Sequence, residues 1–270
     1  MRISLSEGTW DKSTADVVAI AVGSGRTRLS RALGRIEAVN GKGSIKPLAQ
    51  DERFEGKASQ TLKVAATGKA KARWLLLVGI GSEKDAEKVA QQIGHTVANA
   101  ARAQKSVALE LPDVNPSTVR AAAQGLVSGS YRYTEYKSDK SSKSALTSAT
   151  LLGAPKNARG LTAGIRAGKA VAESVNFARD LVNAPPNDLN PVTLARAAAK
   201  ESKKLGLSCR VWNKSRIEKE GMNLFLAVNK GSAIEPRMIH VIYKPTKPKK
   251  KVVFVGKGLT FDAGGLCIKP

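Results

Sequence analysis

The fold is decided by two short stretches, Asp16-Val-Val-Ala-Ile-Ala-Val22 and Arg73-Trp-Leu-Leu-Leu-Val78. Both are mostly apolar, with bulky or β-branched side chains, and a glycine follows each of them. This pattern predicts buried strands that end in turns. Ser59–Ala65 alternates less cleanly, and we interpret it as a further strand candidate.

Helical patterns follow the second of these strands. Ser82–Gln104 begins with acidic residues and then repeats apolar residues every three to four positions, which predicts an amphipathic helix with a favourable dipole interaction at its start. Val107–Leu111 predicts a strand, and Pro116–Gly129 predicts another helix because Asn115-Pro116-Ser117 is a typical helix start. Strands separated by helices indicate an α/β layer with a largely parallel sheet.

A change of composition divides the chain. Tyr136–Ser144 is rich in serine and lysine and lacks periodicity, which predicts a surface loop or a connection between domains. We therefore expect an N-terminal α/β domain over residues 1–136, a linker region over 137–157 and a second domain over 158–270. The elements predicted after the loop are the strand Ala149–Leu152, the helices Ala158–Val182 and Pro191–Leu205, and the strands Ser208–Trp212, Leu224–Val228, Met238–Tyr243 and Val252–Val255.

The overall composition is that of a globular chain with a core. Hydrophobic residues make up 42% and charged residues 25% of the 270 residues, which excludes a disordered chain, a collagen-like repeat and a coiled coil. The longest apolar run, Trp74–Ile80, is too short to span a bilayer. Two cysteines give no disulfide framework, and no signal peptide is visible, so we expect a cytoplasmic protein.

The net charge is unusually high. Forty-five Lys and Arg against 22 Asp and Glu give +23, a charge that attracts polyanions such as nucleic acid. Aromatic residues are only 4%, which disfavours a stacking platform for single-stranded bases. Much of the excess lies in lysine clusters at 137–143, 200–204 and 244–251, which favour either a solvated surface or a sequence-independent phosphate-binding face.

The isolated candidate residues that precede Val255 give little indication of function. His95 and His240 have no second ligand at metal-binding spacing, and Cys209 lies in a predicted strand, so we expect structural roles and a buried, inert thiol. Gly79-Ile80-Gly81 lies between a strand and a helix like a dinucleotide-binding turn. However, Lys84 stands where the third glycine of that motif would be.

The C-terminal stretch Val255–Pro270 has a different character. Glycines flank Lys257, two glycines follow Asp262 after one residue, and Lys269 comes next to the last position. The spacing is not that of a phosphate-binding loop. Glycines would let the backbone pass close to a ligand or an ion, but by itself the pattern also fits a surface loop with two ordinary lysines.

Val255–Pro270 resembles the signature of the leucine aminopeptidase (cytosol aminopeptidase) family of dinuclear-metal exopeptidases. Asn183–Ala195, Gly125–Lys137, and Gly221-Met222 together with Ala227–Ser232 are similar to other segments of that family. The resemblance covers most of the chain. It implies a small N-terminal α/β domain followed by the beginning of an α/β metallo-aminopeptidase domain.

The resemblance also implies site residues and partners. Lys257 and Asp262 match metal ligands, and Lys269 matches the catalytic lysine, whose ammonium can stabilise an oxyanion. The implied cofactors are two divalent metal ions, Mn²⁺ or Zn²⁺, and the implied reaction removes leucine and other apolar N-terminal residues from peptides. The family also implies a homohexamer. Ala263 and Cys267 replace small hydroxylated or polar residues at positions that are not ligands.

The family pattern continues with a further aspartate and an Asp-x-Glu-Gly-Arg stretch, whereas this sequence stops at Pro270. Two protein ligands are fewer than even one catalytic zinc normally has. We therefore expect the truncated start of a catalytic domain, inactive by itself. The alternatives are a basic, non-catalytic DNA-binding module derived from the same family, and a gene product without a selected role.

Overall fold

A computed structural model describes residues 1–139, 144–155, 159–264 and 266–269. The chain divides into two compact units, Met1–Ala178 (unit 1) and Arg179–Pro270 (unit 2). Its elements are β1 (Arg2–Ser6), a 3-10 turn (Trp10–Lys12), β2 (Val17–Gly23), α1 (Arg26–Asn40), α2 (Lys46–Asp51), β3 (Thr61–Ala65), β4 (Trp74–Gly81), α3 (Ala86–Ala100), β5 (Ser106–Glu110), α4 (Pro116–Gly129), β6 (Ser148–Leu152), α5 (Leu161–Asn183), α6 (Pro191–Lys204), β7 (Ser208–Trp212), α7 (Lys214–Lys219), α8 (Asn223–Asn229) and β8 (Met238–Ile242).

The sheet of unit 1 confirms the predicted α/β class. Its six strands follow the order β1-β6-β5-β2-β4-β3, and every neighbouring pair is parallel except β3 and β4. Alternate residues of the central strand β2 enter different clusters: Val17 and Ala19 pack with α3 and α4 residues, and Val18 and Ile20 pack with α1 residues. Helices on both faces explain why this strand is apolar at every position from 17 to 22.

Glycines bring the backbones of α3 and α4 into close contact. A Cβ atom at Gly125 would lie 2.1 Å from the carbonyl oxygen of Gln91, and one at Gly94 would lie 2.4 Å from that of Ala122. Such separations are far below a van der Waals contact, so only glycine fits there. The two helices complete the core over one face of the sheet.

Asp16 ties the start of β2 to the start of β5. Its Oδ2 accepts hydrogen bonds from the Ser106 backbone N–H at 2.9 Å, the Lys105 backbone N–H at 3.0 Å and the Ser106 hydroxyl at 3.0 Å. These bonds, led by the Ser106 hydroxyl, lower the pKa of Asp16 below its usual value.

We expect Asp16→Asn to destabilise the protein by about 1–2 kcal/mol, since hydrogen bonds to a charged acceptor contribute about that much when partly solvated. Because the folded-state pKa is lowered, the contribution is complete above the unfolded pKa of about 3.9. This stabilisation is lost as pH falls through the lower pKa that Asp16 has in the folded state. Urea unfolding of both proteins at pH 7 and at acid pH measures the difference in their free energies of unfolding. Asp51→Asn, at an exposed carboxyl, is the control, and equal effects of the two changes would contradict the assignment.

Two predicted strands are wrong. Leu224–Val228 lies in the helix α8, because a short apolar run fits a buried strand and a helical turn equally well. Val252–Val255 forms no strand, since no strand of the described chain pairs with it. Cys209, predicted to be buried, is half-buried.

The sheet passes through the region predicted as a linker. β6 lies inside residues 137–157 and pairs with both β1 and β5, while residues 140–143 and 156–158, including much of the lysine cluster at 137–143, lie outside the described residues. The predicted domain bounds stay a prediction.

Among the described residues, no helix has the length and apolar character that crossing a membrane requires.

Candidate metal centre

The candidate site lies in the irregular segment that follows β8 in unit 2. Lys257, Asp262 and Lys269 are all exposed, and the described residues from 251 to 269 belong to no helix or strand. The segment therefore positions these side chains through turns and hydrogen bonds of its own.

Asp262 and Lys269 form an ion pair that closes the segment into a loop. The Lys269 Nζ donates to Asp262 Oδ2 at 2.6 Å, and the Gly264 backbone N–H donates to Asp262 Oδ1 at 2.9 Å. The Lys269 backbone N–H also donates to the Ala263 carbonyl at 3.0 Å. Gly264 has φ +91°, and a Cβ there would lie 2.3 Å from the Cys267 carbonyl oxygen. The turn therefore needs glycine at this position.

These contacts keep Asp262 ionised. The hydrogen bond from the Lys269 ammonium lowers the pKa of Asp262 most, followed by the Gly264 N–H, and the charge of Lys257 adds a smaller effect in the same direction. Asp262 is thus a carboxylate at neutral pH, the form in which it can bind a cation.

Of the three residues that the resemblance names, two are in direct contact. Asp262 and Lys269 are brought together, whereas Lys257 acts on Asp262 through its charge and makes no direct contact with it among the described contacts. Asp262 and Lys257 supply an oxygen and a nitrogen donor that fit two ligands of a divalent ion. Over residues 1–139, 144–155, 159–264 and 266–269, no cluster of three or more His, Cys, Asp or Glu side chains could hold a metal ion.

The two histidines lie outside the segment that contains the candidate site. His95 is exposed on α3, with its Nδ1 3.5 Å from the Ser128 hydroxyl, and His240 is exposed on β8. What the sequence did not reveal is the pairing of Lys269 with Asp262. The paired glycines after Asp262 were the only signal for the turn that makes this pairing.

Comparison with protein families places both parts of the chain in one family. The profile described as "Cytosol aminopeptidase family, N-terminal domain" matches residues 17–140, and the profile described as "Cytosol aminopeptidase family, catalytic domain" matches residues 176–270. The second match contains all three candidate site residues.

A comparison with individual proteins finds relatives that are named as members of the same family. A protein of Aquifex aeolicus named as a probable cytosol aminopeptidase is 40% identical over 232 residues, which are 83% of this chain and 46% of the relative. A similarly named protein of Microcystis aeruginosa is 36% identical over 272 residues, 97% of this chain and 53% of the relative. The chain thus spans about half the length of the curated relatives it matches.

Solved structures share the fold. A tomato leucine aminopeptidase variant matches with a TM-score of 0.84 and 25% identity, over 98% of this chain and 55% of that one. The bottromycin maturation enzyme BotP in complex with Mn matches with a TM-score of 0.73 and 28% identity, over 95% of this chain and 50% of that one.

Proposed function

Because the chain belongs to the cytosol aminopeptidase family, we propose that Lys257, Asp262 and Lys269 form part of a metal-dependent aminopeptidase centre. Its substrates are peptides, from which it removes leucine and other apolar N-terminal residues. The observation that carries the proposal is the Asp262–Lys269 ion pair, formed inside the segment that matches the family's catalytic domain.

Each residue has a distinct chemical role in the proposal. Asp262 offers an anionic oxygen to a divalent ion, and Lys257 offers its nitrogen once the amine has lost its proton. When bound, two Mn²⁺ or Zn²⁺ ions supply an activated water and polarise the scissile carbonyl. Lys269 places its Nζ 2.6 Å from Asp262 Oδ2. As an ammonium it can donate a hydrogen bond to the oxygen on which negative charge develops.

The candidate ligands among the described residues are too few for this chemistry. Lys257 and Asp262 make two, whereas a single catalytic zinc normally has three protein ligands. We therefore propose that this polypeptide, tested alone, does not hydrolyse leucine p-nitroanilide. The remaining ligands would come from the part of a cytosol aminopeptidase that these residues do not cover.

A chimaera tests the proposed reaction. In it, the C-terminal remainder of the A. aeolicus relative follows Pro270. We expect hydrolysis of leucine p-nitroanilide in the presence of Mn²⁺ or Zn²⁺, loss of that activity with a chelator, and no hydrolysis of the N-acetylated substrate. A folded, metal-loaded chimaera that is inactive, or one that cleaves the blocked substrate equally well, would contradict the proposal.

The proposal also covers the cellular location and the oligomeric state of the protein, both by analogy with the family. We infer a cytoplasmic protein from the names of the relatives, which are cytosol aminopeptidases, and a homo-oligomer, a hexamer in the family, from the resemblance of the sequence. Size-exclusion chromatography of the chimaera measures the assembly.

A second candidate function is non-specific DNA binding. Lys244, Lys247 and Lys249–Lys251 are all exposed, and no acidic residue occurs between Glu235 and Asp262. A run of exposed lysines without interspersed acids favours phosphate contacts, which release counterions from DNA.

We expect DNA binding at low salt that weakens steeply as salt rises. Replacing Lys249, Lys250 and Lys251 by Gln should reduce the salt slope by about 3, because each phosphate contact contributes about one unit. The control replaces three exposed lysines of unit 1 by Gln, which removes the same number of positive charges. These lysines are Lys42, Lys69 and Lys71. Equal slopes for the two triple variants, or no gel shift at low salt, would remove this candidate.

A further inference from the structure

The carboxyl edge of the sheet in unit 1 has a covered part and an open part. The carboxyl ends of β1, β6, β5, β2 and β4 all lie at this edge, which is where open α/β sheets bind their ligands. Residues 54–60 cover the ends of β2 and β4. The Gly81 backbone N–H donates to the Gly56 carbonyl at 2.9 Å, and a Cβ at Gly56 would lie 2.7 Å from the Gly23 carbonyl oxygen. The part over β1, β6 and β5 is open.

A cleft of about 430 Å³, here called the edge cleft, lies over this open part. Its lining includes Trp10, Glu110, Leu111, Asp113, Val114 and Leu152. Hydrogen bonds from the Gly153 N–H to the Gly8 carbonyl at 3.3 Å and from the Ala154 N–H to the Ser6 carbonyl at 3.0 Å join the ends of β1 and β6. Small-molecule sites have volumes of about 300–1,000 Å³. The size and the position of the edge cleft are therefore those of a ligand site.

Apolar side chains give the edge cleft one part of its chemistry. Trp10, Leu111 and Leu152 are buried and Val114 is half-buried. Trp10 and Leu152 belong to the core on the α1 face of the sheet, and Leu111 belongs to the core on the α3 and α4 face. Core packing thus fixes these side chains in place. A ligand with an apolar body would remove apolar surface from water here.

The charges of the edge cleft are opposite in sign to those of the chain as a whole. Glu110 and Asp113 line it, and none of the described lining residues is Lys, Arg or His, although the chain has 45 Lys and Arg against 22 Asp and Glu. Glu110 is bound by the Arg35 guanidinium at 2.7 and 3.1 Å. Asp113 Oδ2 accepts from the neutral Asn115 amide at 2.6 Å, and no ion pair among the described residues includes Asp113. Asp113 is thus the carboxylate that can pair with a cationic ligand.

We propose that the edge cleft binds an organic ammonium ion with an apolar body, with the ammonium at Asp113 and the body against Leu111, Val114 and Leu152. A phosphate or carboxylate on the ligand would meet like charge in this cleft. The ligand class is therefore that of apolar amines and of the N-terminal residues of peptides, in place of nucleotides or free amino acids. The inference does not rest on the proposed function, because every lining residue belongs to unit 1 and the candidate metal centre belongs to unit 2.

The test uses the 270-residue chain with a chelator present, so that no metal ion takes part in binding. Isoamylamine carries an ammonium and the apolar group of a leucine side chain. We expect it to shift the backbone amide NMR signals of Gly8, Asp113 and Gly153, with a Kd on the order of 1 mM. Isoamyl alcohol, which lacks the charge, and isovalerate, which reverses it, should bind at least about fivefold more weakly. Tighter binding of leucinamide than of isoamylamine would identify a peptide N-terminus as the source of the ammonium, and the reverse order would identify a free amine.

Two variants assign the binding to the carboxylate of Asp113. Asp113→Asn keeps the shape of the side chain and removes its charge, so it should weaken the binding of isoamylamine at least about fivefold. Asp51→Asn, at another exposed carboxyl of unit 1, should leave the Kd unchanged. The amide spectrum of each variant reports whether it is folded.

Four results would overturn the proposal. They are no binding of isoamylamine, equal binding of isoamyl alcohol, shifted signals that all lie outside the edge cleft, and equal effects of the two Asn substitutions. The comparison of the three probes needs the parent chain alone, so it decides the question even if Asp113→Asn does not fold.

Discussion

Asp262→Ala should abolish the binding of Mn²⁺ and Zn²⁺ by the 270-residue chain. We expect the intact chain to bind these ions weakly, and more strongly as pH rises, because an amine ligand must first lose its proton. Asp262 is the only acidic side chain between Glu235 and Pro270, and its lowered pKa keeps it ionised. Removing it leaves no anionic side chain among the candidate ligands, so titration calorimetry should detect no heat of binding.

Two further variants make this result specific. Glu235→Ala removes another exposed carboxylate of unit 2, which pairs with Arg237 at 3.0 Å, and should leave metal binding unchanged. Lys269→Met should strengthen binding by up to about fivefold, because the Lys269 ammonium occupies Asp262 Oδ2. Tight binding that survives Asp262→Ala would place the metal site elsewhere. A loss of binding in Lys269→Met would mean that Lys269 is itself a ligand.

Gly125→Ala should destabilise unit 1 by about 3 kcal/mol or more. The added Cβ would lie 2.1 Å from the Gln91 carbonyl oxygen and 2.9 Å from the His95 backbone nitrogen. Both atoms belong to the backbone of α3, so the clash cannot be relieved by turning a side chain. Moving α3 away from α4 would open the core on that face of the sheet, and overpacking of this kind costs about 1–3 kcal/mol even where side chains can adjust.

Gly34→Ala is the matched control, because Gly34 also lies inside a helix of unit 1. A Cβ there has only the Lys46 Nζ within reach, at 4.0 Å, so the substitution should stabilise the protein by about 0.5–1 kcal/mol through the better helix propensity of alanine. Urea unfolding of both variants gives the comparison. A Gly125→Ala protein as stable as the parent would show that α3 and α4 do not pack as closely as described.

The parts of the fold that the sequence predicts well are those with a strong local signal. β2 and β4 are uniformly apolar because they are buried on both faces. The start of α4 is marked by Asn115, whose side chain accepts from the backbone N–H groups of Ser117 and Thr118. The edge strand β1 and the helix α1 were not predicted, although Leu29, Leu33 and Ile36 repeat at helical spacing in α1.

Other features depend on distant parts of the chain and have no local signal. The order of the strands and the antiparallel pairing of β3 arise from tertiary packing. Val252–Val255 has the composition of a strand but no described partner, and composition cannot report whether a partner is present. In the candidate site, resemblance names Lys257, Asp262 and Lys269, whereas the contact between Asp262 and Lys269 depends on the left-handed turn at Gly264.

Hydrolysis of leucine p-nitroanilide by four forms of the chimaera in saturating Mn²⁺ tests whether Asp262 and Lys269 take part in the aminopeptidase reaction. These are the parent, Asp262→Ala, Lys269→Met and the control Lys251→Met, which replaces an exposed lysine outside the family signature. We expect Lys269→Met to lower kcat at least about 100-fold, as loss of an oxyanion donor does. Asp262→Ala should lose measurable activity, and Lys251→Met should match the parent. Activity in Asp262→Ala and Lys269→Met equal to that of the parent would contradict the claim that this segment carries the aminopeptidase chemistry.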